Sequence, residues 1–177
     1  MIYYDYEEVL LKVDRMFYYD KYVLGKRLLE EVLEKEPGFG PAHFRLGWIY
    51  WARLNYYEQA EDHFKLALKF APEYPLTYYS YACMLNEMNH SGKLKSVAEN
   101  GMKVRGVSRF FLYSILGKSR EKNNRLEEAH DHYQMALKHA FIAYETDELK
   151  MNLKRVREQL KRFEASKSGE ALLEAHK

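Results

Sequence analysis

The residues in this chain with the chemistry for catalysis or metal binding are few, and their spacing argues against either use. Cys83 is the single cysteine of 177 residues, and no histidine stands at a clear structural offset from it to act as its base. A thiol becomes a nucleophile only as the thiolate, so without such a base Cys83 reads as a structural thiol. His130, His132 and His139 fall on one predicted helix. His132 and His139, seven apart, share a face while His130 points elsewhere, so the set lacks the ligands and supporting partners of a zinc site. Gly92-Lys93 lacks the upstream glycine of a phosphate loop. The carboxylates are spread over predicted helix exteriors, where solvation accounts for them. The expectation is a non-catalytic protein with no cofactor and no bound metal.

Composition narrows the class further. Lys+Arg number 28 against 26 Asp+Glu, a net charge of +2, so no strong overall field favours nucleic acid. The apolar share of 47 % suits a packed core rather than a disordered polymer. No stretch approaches the roughly 20 uncharged residues of a membrane helix. Asp5, Glu7 and Glu8 within the first ten residues argue against a signal peptide, and one cysteine excludes an internal disulfide framework. These features predict a soluble, cytoplasmic globular protein.

The elements that would position any site come from self-similarity. Leu46-Gly47 aligns with Tyr81-Ala82 and then with Leu116-Gly117, each 35 residues on. A second series runs Gly25, Leu29, Val32, Pro37, then Ala60, Phe64, Ala67, Pro72, then Ala129, Tyr133, Ala136, Phe141. A degenerate copy fits at Leu94, Ala98, Gly101 and Gly106. Four units fill 6–39, 40–74, 75–109 and 110–141. In each, apolar residues recur at steps of three and four, as one face of a helix requires. Short polar turns (Asp20-Lys21, Asn55-Tyr56, Asn89 to Gly92, Asn123-Asn124) separate two helices per unit, and Asn, Asp and Gly tolerate the left-handed backbone of a tight helical hairpin. Small residues such as Gly47, Ala82 and Gly117 mark where helix backbones approach closely. Strand signals are absent, so the fold class is all-α. Stacked units bury a face that one unit alone leaves open.

The run Leu46-Gly47-x-x-Tyr50 … Tyr57-x-x-Ala60-x-x-x-Phe64-x-x-Ala67 … Pro72 resembles the tetratricopeptide repeat. Leu116-Gly117 … Leu126-x-x-Ala129-x-x-x-Tyr133-x-x-Ala136 matches equally well, and Asp20-Lys21-Tyr22-x-x-Gly25 fairly. Lys12-Val13 replaces the Leu-Gly pair of the first unit, and Ala98 stands where an aromatic is usual in the third. The resemblance covers about three-quarters of the chain. It implies a right-handed α-solenoid of about four helix-turn-helix repeats spanning 1–163 with its cap. Residues 142–163 form that predicted capping helix, with Leu149, Leu153, Val156, Leu160 and Phe163 on one seam and Lys150, Lys154, Arg155, Arg157, Lys161 and Arg162 opposite. A homodimeric coiled coil is the other use of the seam. Residues 164–177, with Ser166, Ser168 and Gly169, are expected to be a disordered tail.

In proteins with this repeat the first helices line a concave groove that holds a peptide or helix of a partner. Carried over by position, the groove residues here are Leu10, Asp14 and Phe17, then Phe44, Trp48 and Trp51, then Tyr79, then Phe111 and Lys118. Helix 41–54 supports this independently: it is apolar all round, and a helix hydrophobic on every side needs cover on every side. Its packing face uses Leu46, Gly47 and Tyr50, which leaves Phe44, Trp48 and Trp51 to a partner or to the segment Ala171-Leu172-Leu173 folding back. Repeats that capture acidic chaperone tails carry a clamp of Lys, Asn and Arg. Here Leu10, Asp14, Leu76 and Ser80 take those places, with Arg45 and Lys118 the remaining donors, so the expected ligand is more apolar than acidic.

Charge is unevenly placed. Residues 1–36 sum to −3 and residues 150–163 to +5. The reading is a protein-binding adaptor or scaffold. Its alternatives are a self-assembling scaffold or homodimer, a secretion-type chaperone, and, ranked last, an RNA-binding array using Lys154, Arg155 and Arg157. No membrane partner is expected.

Overall fold

A computed structural model of the chain describes residues 5–174, with side chains through Ser166. Nine α-helices and no strand occur among the described residues: α1 (Tyr6–Tyr18), α2 (Tyr22–Lys35), α3 (Gly40–Ala52), α4 (Tyr57–Phe70), α5 (Pro75–Glu87), α6 (Ser91–Gly101), α7 (Arg109–Lys122), α8 (Leu126–Lys138) and α9 (Ala143–Glu174). They divide into two compact units, residues 1–84 and 85–177, with α5 running across the boundary. None of the helices is long and apolar enough to cross a membrane.

The hairpin turns share one backbone solution. Asp20, Asn55, Asn89 and Asn124 have φ of 57°, 56°, 58° and 56°. Short polar side chains that bond locally are the non-glycine residues best suited to this left-handed region. In three turns the next N–H reaches five residues back, Lys21 to the Met16 carbonyl at 2.8 Å, His90 to Leu85 at 2.8 Å and Arg125 to Arg120 at 2.9 Å. This is the Schellman closure, which satisfies carbonyls that the helix end leaves open. The second turn is one residue wider, and Tyr56 N–H reaches six back to Tyr50 at 2.8 Å. In the second unit two of these turns are tied side by side: Asn123 Nδ2 donates to Asn89 Oδ1 at 2.7 Å and Asn89 Nδ2 to Asn123 Oδ1 at 3.0 Å.

In three hairpins the paired helices touch through a ring seated on glycine. A Cβ on Gly47 of α3 would lie 2.9 Å from the buried Phe64 ring of α4. One on Gly117 of α7 would lie 2.6 Å from the buried Tyr133 ring of α8. In the first hairpin the order is reversed: Phe17 of α1 rests on Gly25 of α2. Val13 then supplies the buried contact at the place where Leu-Gly is missing, joining Leu29, Val32, Ala42, Leu46 and Ile49 in one core. In the second unit Leu126, Ala129, Tyr133 and Ala136 of α8 meet Leu149, Leu153 and Val156 of α9.

Polar contacts lock α9 down as well. Arg155 grips Glu121 of α7 with Nε–Oε1 at 2.6 Å and Nη2–Oε2 at 2.8 Å, and the Tyr133 hydroxyl donates to the same carboxylate at 2.8 Å. Arg155 holds the Glu121 carboxyl below the usual carboxylate range. The tail expected to be disordered from residue 164 instead continues α9 as far as Glu174. Its Ala, Leu, Glu and Lys residues favour helix, and extending an existing helix needs no new nucleus, so Gly169 and two serines do not end it. Residues 175–177 of that tail lie outside the described residues.

A histidine pair that sequence reading did not single out is built into the first unit. His43 Nε2 lies 3.0 Å from the Pro37 carbonyl, so it must carry the proton and donate. In the neutral ring His43 Nδ1 then accepts, and the donor 3.0 Å away is His63 Nδ1–H. Burial, followed by the neighbouring His43, pushes His63 down to about 4. A proton therefore prefers the unfolded chain. Stability is full above the unfolded value near 6.5 and falls as pH drops from there through about 4. The loss of melting temperature between pH 7 and pH 4.5 should be smaller in His63→Asn, which keeps an amide donor and cannot titrate. Equal losses in both proteins would refute the linkage.

Gly117→Ala gains about 1 kcal/mol of helix propensity but drives a methyl group into a ring that cannot move, and overpacking costs about 1–3 kcal/mol. Thermal unfolding should show net destabilisation. Gly92→Ala, with open space around the added carbon, should be neutral or stabilising.

Candidate functional site

In the first unit, α1 and α3 enclose an open pocket of about 180 Å³ lined by Asp14, Phe17, Phe44, Arg45 and Trp48. A step of three on α1 and steps of three and four to Trp48 on α3 bring these side chains to one side of each helix. Phe17 is raised over α2 by the missing side chain of Gly25. Trp48 stacks on it, with ring centroids 5.7 Å apart and planes 20° apart. Tyr22 meets Trp48 at 6.2 Å, and the Arg53 guanidinium lies 4.4 Å from the Tyr22 ring centre and 5.3 Å from that of Trp48. Cations over indole and phenol faces are attracted by the ring quadrupole. Trp48 thus has a fixed orientation and stays half-buried.

The rim is polar but self-satisfied. Arg45 donates from Nε to Asp14 Oδ1 at 2.8 Å and from Nη2 to Asp14 Oδ2 at 2.6 Å. Its side chain is 11 % exposed, against 48 % for Asp14, so the cation is used inside the unit and the carboxylate faces solvent. A fork-on-carboxylate pair of this kind holds its geometry as well as its charge.

Of the nine residues read from the sequence, Asp14, Phe17, Phe44 and Trp48 converge on this pocket. Leu10 is half-buried against the core formed with α2 and α3. Phe44 is covered from within, 6.4 Å from Phe64 and 5.4 Å from Tyr74, and is only 9 % exposed. Part of the cover expected from a partner is therefore internal. Trp51 and Tyr79 are half-buried and do not line the pocket. Phe111 and Lys118 belong to α7 in the second unit. There Lys118 Nζ binds Glu148 of α9 at 3.0 Å, so this donor is also taken. Sequence reading missed Tyr22, Arg53 and the Asp14–Arg45 pair. Opposite charges on successive first helices were the available signal for that pair.

The other candidates for chemistry turn out to be packed. Tyr113 stacks with His139 at 5.7 Å and 4° and with His132 at 6.3 Å and 29°. Burial lowers the affinity of His132 for a proton. Among the described residues no group of three or more His, Cys, Asp and Glu side chains is placed to hold a metal ion. Of the cations proposed for RNA, Arg155 is forked on Glu121 and Arg157 donates to His130 Nε2 at 3.2 Å.

No protein-family model matches the sequence, and no curated relative matches it. Solved structures do. The chain is similar to PilW, a widely conserved type IV pilus biogenesis factor, with a TM-score of 0.66 and 13 % identity over 86 % of this chain and 77 % of that one. It is similar to a MamA fragment (41-end) from Desulfovibrio magneticus RS-1, with a TM-score of 0.65 and 19 % identity over 92 % and 95 %. It is also similar to TTC0263, a thermophilic TPR protein in Thermus thermophilus, with a TM-score of 0.63 and 15 % identity over 86 % and 81 %. Helix order, hairpin turns and these likenesses together identify the all-α fold of this chain as the tetratricopeptide-repeat fold.

Proposed function

We propose that this chain is a non-catalytic protein-interaction module whose α1–α3 pocket takes an apolar side chain from a peptide segment or helix of another protein. The observation that carries this reading is the pocket's lining. Three aromatic rings surround it, and its single cation is already neutralised by Asp14. A buried, paired guanidinium offers little to an incoming carboxylate, whereas aromatic faces with fixed orientation are the usual anchors of protein interfaces. A cavity of about 150 Å³ is enough for a benzene-sized group, so one leucine, methionine or phenylalanine side chain fits the volume seen here. The exposed oxygens of Asp14 at the rim favour a neutral or basic residue beside that anchor.

The test begins with peptides selected from a random library on the immobilised protein, then titrated by tryptophan fluorescence. The selected peptides should share one large apolar residue and bind with little dependence on salt. Trp48→Ala should weaken them about 30-fold, the equivalent of about 2 kcal/mol, while Trp48→Phe retains most of the affinity. Peptides that carry acidic termini, or that bind Trp48→Ala as well as the parent protein, would overturn the proposal.

A further inference from the structure

The second unit carries a different surface on α8 and α9. A groove of about 410 Å³ has Leu137 and Leu153 at its floor and Lys150, Lys154, Arg157 and Lys161 along its wall. Those four cations stand at i, i+4, i+7 and i+11 on α9, one continuous stripe about 16 Å long at 1.5 Å per residue. Lys150 has Asp147 at 3.5 Å and Arg157 is held by His130, but Lys154 and Lys161 have no ion-pair partner among the described residues. Glu158 is the one acid in the groove.

The complementary surface lies on the first unit of the same protein. The outer face of α2 begins with Val23, 82 % exposed, and Leu24, 52 % exposed, beside Tyr18 and Tyr19 at the α1–α2 turn. It continues to the exposed carboxylates Glu31 and Glu34, which have no cation paired with them among the described residues. Arg27 lies between, and Glu30 is engaged by Lys26. From Val23 to Glu34 is again eleven residues, the same length of helix as the basic stripe. Exposed aliphatic and aromatic side chains grouped with unpaired acids make a face that lacks a partner within its own unit.

We infer that the basic groove of α8–α9 is a docking site for the α2 face of a second copy of this chain. With Val23 and Leu24 over Leu137 and the exposed edge of Leu153, and the two helices running the same way, Glu31 and Glu34 come to the Lys161 end of the stripe, eight residues on, inside the field of all four cations. The two faces differ, so the contact is head-to-tail, and each chain offers one face of each kind. It uses none of the residues of the α1–α3 pocket, so peptide binding there and self-association succeed or fail separately.

Sedimentation velocity of the purified chain from 1 to 200 µM tests this. Association should rise with concentration at 50 mM salt and weaken at least tenfold at 500 mM, where the Debye length is shorter. Lys154→Glu with Lys161→Glu should abolish it, as should Glu31→Lys with Glu34→Lys. All four substitutions in one chain should restore it, because the charges are again opposite. These positions are exposed, and circular dichroism would confirm that the variants keep their helices. A chain that stays monomeric at every concentration would overturn the inference. Association indifferent to either reversal would overturn it too. So would a monomer whose groove binds polyuridylate with steep salt dependence, which would assign the lysines to nucleic acid.

Discussion

Three of the four hairpins depend on an aromatic ring packed against a backbone position with no side chain. Phe64 over Gly47 and Tyr133 over Gly117 bring paired helices closer than two ordinary side chains allow. The ring recovers in buried surface what glycine loses in helix propensity. The inverted version in the first hairpin, Phe17 over Gly25, has a further effect. It moves the ring from the buried seam toward the edge of α1, where Trp48 stacks on it, so the candidate pocket grows out of a packing device used the other way round.

The polar chemistry follows one pattern. Several charges on the first helices hold neighbouring elements: Arg45 on Asp14, Lys118 on Glu148, Glu121 on both Arg155 and Tyr133. Surface pairs of this kind contribute modestly to stability, but a forked guanidinium fixes orientation. Once those groups are satisfied, the side chains left facing the α1–α3 pocket are mostly rings. Glu31 and Glu34 of α2 and Lys154 and Lys161 of α9 are among the exposed charges without an ion-pair partner among the described residues.

Much of this was readable from the residues alone, for physical reasons. The repeat period, the small residues at close approaches and the Asn or Asp of each turn are local requirements. Each leaves its mark at a fixed offset. The left-handed residues fell at Asp20, Asn55, Asn89 and Asn124 because few other side chains tolerate that backbone. What escaped depends on which side chains meet across elements: the cover of Phe44 by Phe64 and Tyr74, the Arg53–Tyr22–Trp48 stack, and the His43–His63 bond. Those are matters of side-chain direction that periodicity does not encode. The helical continuation of α9 past residue 163 escaped for another reason. A helix already nucleated responds to the summed propensity of its residues rather than to single serines or glycines.

The triple contact at Glu121 also bears on time rather than energy. Its two oxygens are shared by a residue of α9 and one of α8, while the acid itself belongs to α7. None of the three helices can swing away without breaking a bond made by another. Lifting α9 must break the Arg155 fork as well as its apolar contacts with α8. The contact therefore couples the opening of α7, α8 and α9, and segments coupled in this way exchange their amide protons together.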